Sequence, residues 1–168
     1  MSDALLSPHQ AFLSLGSNLG DKAENLKRAR EKLILKGLQV QKSSLLYHTE
    51  PVDYEDQDWF FNQILQVGTL VGPEQLLDFC SEVESELGRE RQIPRGPRLI
   101  DIDVLLYDRI IVNSLKVQIP HPRMHLRRFV LEPLASISPD VLHPGFQKTV
   151  SALLKECRDP GQIKKLDA

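Results

Sequence analysis

Asp101 and Asp103 stand one residue apart in the stretch Gly96-Pro97-Arg98-Leu99-Ile100-Asp101-Ile102-Asp103-Val104-Leu105-Leu106-Tyr107. Alternate residues of a strand share a face, so the two carboxylates point the same way about 7 Å apart, while Ile100, Ile102, Val104 and Leu106 point the other way. Two like charges so placed call for a cation. Just upstream, Arg89, Arg91, Arg95 and Arg98 supply guanidinium groups of the kind that grip polyphosphate, with Glu90 as the only acid among them. Carboxylates suited to magnesium beside arginines suited to phosphate point to phosphoryl transfer.

A D-x-D triplet on its own more often marks a solvated strand face, but here the carboxylates interrupt an apolar run ending in Val104-Leu105-Leu106-Tyr107, the pattern of a largely buried strand. Buried carboxylates need partners. A Walker loop is excluded, because G-x-x-x-x-G-K-[ST] does not occur. Gly16-Ser17-Asn18-Leu19-Gly20 resembles a glycine loop only loosely. It reads first as a strand-to-helix turn and second as an anion site at a helix start.

His121 and His125 are four apart, a zinc spacing on a helix, but Pro122 disfavours that helix and the nearby arginines repel a cation. His121 is better read as a hydrogen-bond donor to phosphate, and His125 as a surface histidine. Trp59-Phe60-Phe61-Asn62 opens a strand on which Phe60 and Asn62 share a face. A ring beside a carboxamide suits a planar heterocycle, though taken alone the pair reads first as a core aromatic with a strand-end asparagine. Phe129, after Arg127 and Arg128, is either the opposing ring or a buried helix residue.

With 168 residues the chain fits one domain over 1–168, with a core from about 10 to 157 and a tail over 158–168 expected to fray. Its 21 basic and 23 acidic residues leave a net charge of -2, which argues against a general nucleic-acid or anionic-membrane binder. Only Cys80 and Cys157 occur, without metal-type spacing, and the N-terminus lacks a basic segment followed by a long apolar stretch. A reducing, cytoplasmic setting is the expectation.

Patterning predicts a strand over Gln10–Leu15, a helix after Asp21 with Glu24 completing a capping box, and a strand over Gln39–Tyr47. The acidic, turn-rich loop from Thr49 to Asp58 follows, then a strand over Trp59–Leu70. A second helix starts at Gly72-Pro73 and carries Leu76, Leu77, Cys80, Val83 and Leu87 as its stripe. After the aspartate strand, Ile110-Ile111-Val112 and Val117-Gln118-Ile119 form a short hairpin arm. Further helices are expected over Arg127–Ile137 and Val150–Glu156. Strand, helix, strand, strand, helix, strand is the βαββαβ order of an α+β, ferredoxin-like sandwich, an antiparallel sheet with its helices on one face.

Several ordered motifs together resemble the hydroxymethyl-dihydropterin pyrophosphokinase family of folate biosynthesis. They are Leu15-Gly16-Ser17-Asn18-Leu19-Gly20, Tyr47-His48-Thr49-Glu50-Pro51, Phe60-Phe61-Asn62, Gly96-Pro97-Arg98 with Asp101-Ile102-Asp103, and Pro120-His121 with Arg127 and Phe129. The resemblance covers about Phe12 to Val150 and implies transfer of pyrophosphate from ATP to the hydroxymethyl group of a reduced pterin. It implies two magnesium ions on Asp101 and Asp103, and triphosphate contacts from Arg89, Arg91, Arg98, His121 and Arg127, with Arg89 and Arg91 also catalytic. It further implies a pterin stacked between Phe60 and Phe129 and read by Asn62 with the backbone around Thr49 and Val52. Glu84, Val104, Gln118 and Lys116 fall where the family contacts adenosine.

The chain departs from the family where Pro94-Arg95 precedes Gly96, in place of a basic residue and an aromatic, and where Pro122 replaces a polar aromatic. The expected partners are ATP and the pterin alone, with no nucleic acid, no membrane and a monomeric chain. Two other classes compete on the same residues. A different two-metal nucleotidyl or glycosyl transferase would use the D-x-D carboxylates. A ferredoxin-like RNA-binding module would use the sheet aromatics, though the acidic balance and the absence of a K/R-G-F/Y-type motif oppose it.

Overall fold

The computed structural model describes residues 9–51, 56–88 and 99–166. In chain order the elements are β1 (His9–Ser17), α1 (Lys22–Leu35), β2 (Gln39–Ser43), β3 (Tyr47–Thr49), β4 (Phe60–Thr69), α2 (Pro73–Glu86) and β5 (Asp101–Tyr107). They continue as β6 (Val112–Asn113), β7 (Gln118–Ile119), a 3-10 turn at Met124–Leu126, α3 (Arg128–Ile137), β8 (Leu142–His143), β9 (Lys148–Thr149), α4 (Val150–Glu156) and β10 (Ile163–Lys165). The main sheet is antiparallel throughout, in the order β10-β3-β4-β1-β5, with β2 paired to the far end of β4. Residues 89–98 and Val52 lie outside the described residues, so Arg89, Arg91, Arg95 and Arg98 are not placed.

Local chemistry sets the two helices that follow the sheet strands. Asp21 caps α1, its side chain accepting from the Glu24 N–H at 3.1 Å, and Gly37 ends the following turn at φ 105°. Proline occupies the first turn of α2, where its missing N–H costs nothing. Leu26, Ala29 and Leu33 of α1 and Leu76, Cys80 and Val83 of α2 pack on Leu13, Leu15, Leu65, Val67, Ile102 and Val104 of the sheet. This face is the βαββαβ half expected from the sequence.

The expectation that helices cover one face is corrected by α3 and α4, which lie on the other. A second core joins Phe12, Ile64 and Leu106 of the sheet to Val130, Leu131 and Leu134 of α3 and to Val150 and Leu153 of α4. Both faces of β1 and β4 are therefore buried, which explains their nearly continuous apolar runs. The strand expected over Gln39–Tyr47 is divided. Ser44 leaves the ladder between β2 and β3 yet still exchanges bonds with β4, its N–H donating to Ile64 O and its hydroxyl accepting from Ile64 N, both at 2.9 Å.

The tail expected to fray is also corrected, because residues 163–165 add an edge strand to β3. The hairpin arm is present as the β6–β7 pair, Val112 opposite Ile119 and Asn113 opposite Gln118. Removing the cap in Asp21→Ala should lower stability by about 1 kcal/mol. Urea unfolding should show this as a lower midpoint with an unchanged slope.

Candidate active site

Strand register brings the polar residues of the sheet to one end of one face. Asn62 sits opposite Tyr47 on β3 and Gly16 on β1, Thr49 sits opposite Phe60, and Gly16 and Ser14 sit opposite Asp101 and Asp103 on β5. Tyr47, Asn62, Gly16 and Asp101 thus form a row across four adjacent strands, with the Thr49–Phe60 pair one step to one side of it and Asp103 one step to the other. This is the face that α3 covers. Phe129, in the first turn of α3, packs against its core, and the Arg127 guanidinium lies 5.6 Å from the Phe129 ring centroid.

Asn62 is 5% exposed and Thr49 2%, and the Asn62 Nδ2 donates to Thr49 Oγ1. A carboxamide so buried keeps its orientation only if each end has a place. Its oxygen lies over Gly16, where a Cβ would come within 2.7 Å of Asn62 Oδ1. Gly16 is therefore strand backbone whose lack of a side chain makes room for Asn62. The turn reading of the glycine pair belongs to Gly20, at φ 66°. Asn18, 1% exposed, donates from Nδ2 to Gln57 Oε1 at 2.7 Å and to Asp58 O at 3.0 Å, and so anchors the segment that leads into β4.

On the other side of Asp103 a cleft of about 360 Å³ is lined by Asp103, Val104, Lys116, Gln118 and His121, with Pro73 and Leu77 from α2. Lys116 is held at the rim by Asp78, Nζ to Oδ1 2.9 Å. Glu84 is not in this cleft. It is 7% exposed, and its Oε2 accepts from the Ile102 N–H at 2.8 Å, the backbone amide between the two aspartates. β5 is an edge strand of the main sheet, so this side chain supplies an acceptor where no further strand does.

His121 joins the site through its backbone, donating to Leu105 O at 2.9 Å. Burial pushes its ring pKa down to about 4, helped by the Arg127 and Arg123 charges and opposed by Asp101. The ring is thus neutral at pH 7. Its Nδ1 accepts from the Arg123 N–H at 3.1 Å, which leaves Nε2 as the N–H donor. His125 stands apart, its ring tilted by 58° against Phe146 with centroids 4.7 Å apart.

Hard oxygen donors in pairs, completed by ligands from a bound polyanion, are the ordinary environment of Mg²⁺. Asp101 and Asp103 are both half-buried and share a face, so they fit such an ion. Among the described residues no three His, Cys, Asp or Glu side chains gather as a self-sufficient metal centre.

Sequence reasoning singled out Asn62, Thr49, Phe60 and the aspartates, and the structure brings them together. It named Gly16 within a turn and a family motif but did not find its role under Asn62, because a close approach between residues 46 apart leaves no local pattern. Gly16→Ala should displace the Asn62 carboxamide, which a shift of its side-chain NH₂ resonances in the ¹⁵N spectrum would report. Histidine NMR titration of the ligand-free chain should find His121 neutral down to about pH 4. The unfolded chain takes up that proton near 6.5, so the His121 contribution to stability falls as pH drops from about 6.5 to about 4. His121→Gln should remove that part of the acid destabilisation.

A family model described as 7,8-dihydro-6-hydroxymethylpterin-pyrophosphokinase (HPPK) matches residues 12–139. The folic acid synthesis protein fol1 of Pneumocystis carinii is 44% identical over 158 residues, which cover 94% of this chain and 21% of that protein. The chain thus spans about a fifth of the length of that fungal relative. The 2-amino-4-hydroxy-6-hydroxymethyldihydropteridine pyrophosphokinase of Methylorubrum extorquens is 42% identical over 159 residues, 94% of this chain and 99% of that protein. Among solved structures, wild-type Plasmodium falciparum HPPK-DHPS superposes with a TM-score of 0.70 over 92% of this chain and 46% of that one, at 17% identity, a likeness of fold. On the match over residues 12–139 and the near full-length bacterial relative, the chain belongs to the HPPK family.

Proposed function

We propose that this chain transfers pyrophosphate from ATP to the hydroxymethyl group of 6-hydroxymethyl-7,8-dihydropterin, yielding AMP and the pterin diphosphate, a step of folate biosynthesis. The observation that carries the reading is the row across one sheet face, a buried carboxamide and aromatic at one end and paired carboxylates beside a histidine-lined cleft at the other. A heterocycle held at the first end presents its substituent toward the second.

In this reading Asn62 reads the pterin edge, with the backbone around Thr49 and Val52, while Phe60 and Phe129 flank the ring. An orientation locked by burial and by Thr49 makes such recognition selective, since a mismatched heterocycle leaves a buried amide unpaired. Val104, Gln118 and Lys116 line the adenosine part of the cleft, and His121, neutral with Nε2–H outward, donates to a phosphate oxygen. Arg127, with Arg89, Arg91 and Arg98, neutralises the triphosphate and the charge spread over the transferred group.

Asp101 and Asp103 would hold two Mg²⁺ ions, which supply charge neutralisation on the phosphates and a lowered pKa for the attacking hydroxyl. The chain's own contribution is placement. The pterin hydroxyl oxygen is held in line with the β-phosphorus and gives its proton to solvent, its bond to phosphorus forms as the bond from the β-phosphorus to the α,β-bridging oxygen breaks, and AMP leaves with that oxygen. Glu84 acts behind the strand, fixing the Ile102 amide and with it the two aspartates. ATP and the pterin are the partners in this proposal, for a monomeric, cytoplasmic chain. Its two cysteines are free thiols, and no described helix is long and apolar enough to cross a membrane.

Incubation with magnesium, ATP and the hydroxymethyl-dihydropterin should give AMP and the pterin diphosphate. Release of ADP or inorganic pyrophosphate, or RNA binding without turnover, would point to the competing classes and overturn the reading. Asp101→Ala and Asp103→Ala should each lower turnover by on the order of a thousandfold or more with unchanged circular dichroism.

A further inference from the structure

We infer that the C-terminal segment from Cys157 to Leu166 is a strap that positions the pterin side of the site, with Asp159 as its key positioning residue. The inference rests on the proposed function and concerns how that site is held.

Helix α3 begins Arg127-Arg128-Phe129, and no side chain of its own caps it. The cap comes from 31 residues ahead. Asp159 Oδ2 accepts from the Arg128 N–H at 3.1 Å, and its Oδ1 accepts from Gly161 N at 2.8 Å. The Arg128 side chain in turn donates to the backbone, Nε to Asp159 O and Nη2 to Cys157 O, both at 3.3 Å. A carboxylate at a helix N-terminus also offsets the positive end of the dipole and the charge of two adjacent arginines.

From Gly161 the same segment crosses to the sheet edge. Glu50 N donates to Gln162 O at 3.0 Å, and Gln162 N donates to the Glu50 carboxylate at 3.2 Å. Ile163, Lys164 and Lys165 then pair with Thr49, His48 and Tyr47, and Leu166 N donates to Leu46 O at 2.8 Å. One strap therefore ends on the strand that carries Thr49 and begins on the helix turn that carries Arg127 and Phe129. The strand lies at the edge that the proposed pterin is read from and pairs Thr49 with Phe60, while the helix turn brings Phe129 to the ring and Arg127 to the triphosphate, and neither end lines the cleft assigned to adenosine.

The geometry yields an asymmetric expectation. Asp159→Ala frees the first turn of α3, and Lys164→Pro puts a residue without an N–H into β10. Each should weaken binding of 6-hydroxymethylpterin about tenfold, the scale of one lost hydrogen bond, while ATP affinity stays within about twofold, because Arg127 is one of several triphosphate cations and the adenosine cleft does not touch the strap. Asp159→Asn, which keeps one acceptor oxygen, should fall between Ala and wild type. If the strap acts as a unit, the double variant should be little worse than either single one.

The test is direct calorimetry of each ligand against the full chain, with KM for both substrates measured alongside and thermal melting as a control. Loss of stability alone lowers the active fraction and leaves both dissociation constants of the folded chain unchanged. Equal shifts for both ligands, or none, would overturn the strap. A wild-type chain that binds ATP but no pterin would overturn the proposed function itself.

Discussion

Because successive side chains of a strand point to opposite faces, a slip of β5 by one residue along β1 would bury Asp101 and Asp103 against α1 and α2 and push Ile102 and Val104 outward. The penalty would be two desolvated carboxylates, several kcal/mol each. The rest of the site presupposes the register that avoids this. It is held at the far end by Asp108, whose N–H donates to Gln10 O at 2.7 Å and whose Oδ1 accepts from Gln10 N at 2.9 Å. It is held near the site by Glu84 on the Ile102 amide. The pairing shifts between Phe12 and Leu13, so Leu106, expected from alternation alone on the opposite face, joins Leu105 and the two aspartates on the face of the second core.

That face is divided along its length. Under α3 and α4 it is hydrocarbon, with Phe12, Ile64 and Leu106 buried, and beyond them it turns to Asn62, Asp101 and Asp103. His121 sits near this boundary with Arg127, Arg123 and Asp101 acting on its ring, and burial decides the balance in favour of the neutral form. In the proposed reading, this neutral ring with its Nε2–H gives a phosphate oxygen one directed hydrogen bond. The diffuse charge is assigned in that reading to arginines, which do not change protonation in the physiological range.

How much of this was legible in the sequence depends on the distance over which each feature is specified. The α1 cap, the Pro73 start of α2 and the D-x-D strand are written within a few residues, and each reads correctly. The second helical layer was hidden because strands buried on both faces lose the alternation that tells one face from the other. Gly16 and Glu84 act on partners 46 and 18 residues away, so only the folded register explains why a glycine stands in a strand and an acid in a helix. The tail read as polar and frayed for a similar reason. An edge strand of three residues, Ile163–Lys165, with two lysines carries too little pattern to announce itself, although lysine is a common guard of exposed sheet edges.

If the site binds a polyanion as proposed, the position of the strap follows from the charge placed at the start of α3. A helix N-terminus ordinarily recruits Ser, Asp or Asn as its own cap, yet at α3 that position is Arg127 and the next residue is Arg128. Cations there oppose the helix dipole, a cost accepted when the guanidinium is wanted at a polyanion. The missing acceptor must then come from elsewhere in the chain. Asp159 supplies it and takes the Arg128 amide, while the Arg128 guanidinium turns to the strap's carbonyls and Arg127 stays over Phe129 beside the site. Two adjacent arginines are thereby sorted, one toward structure and one toward the proposed substrate, by a carboxylate 31 residues away.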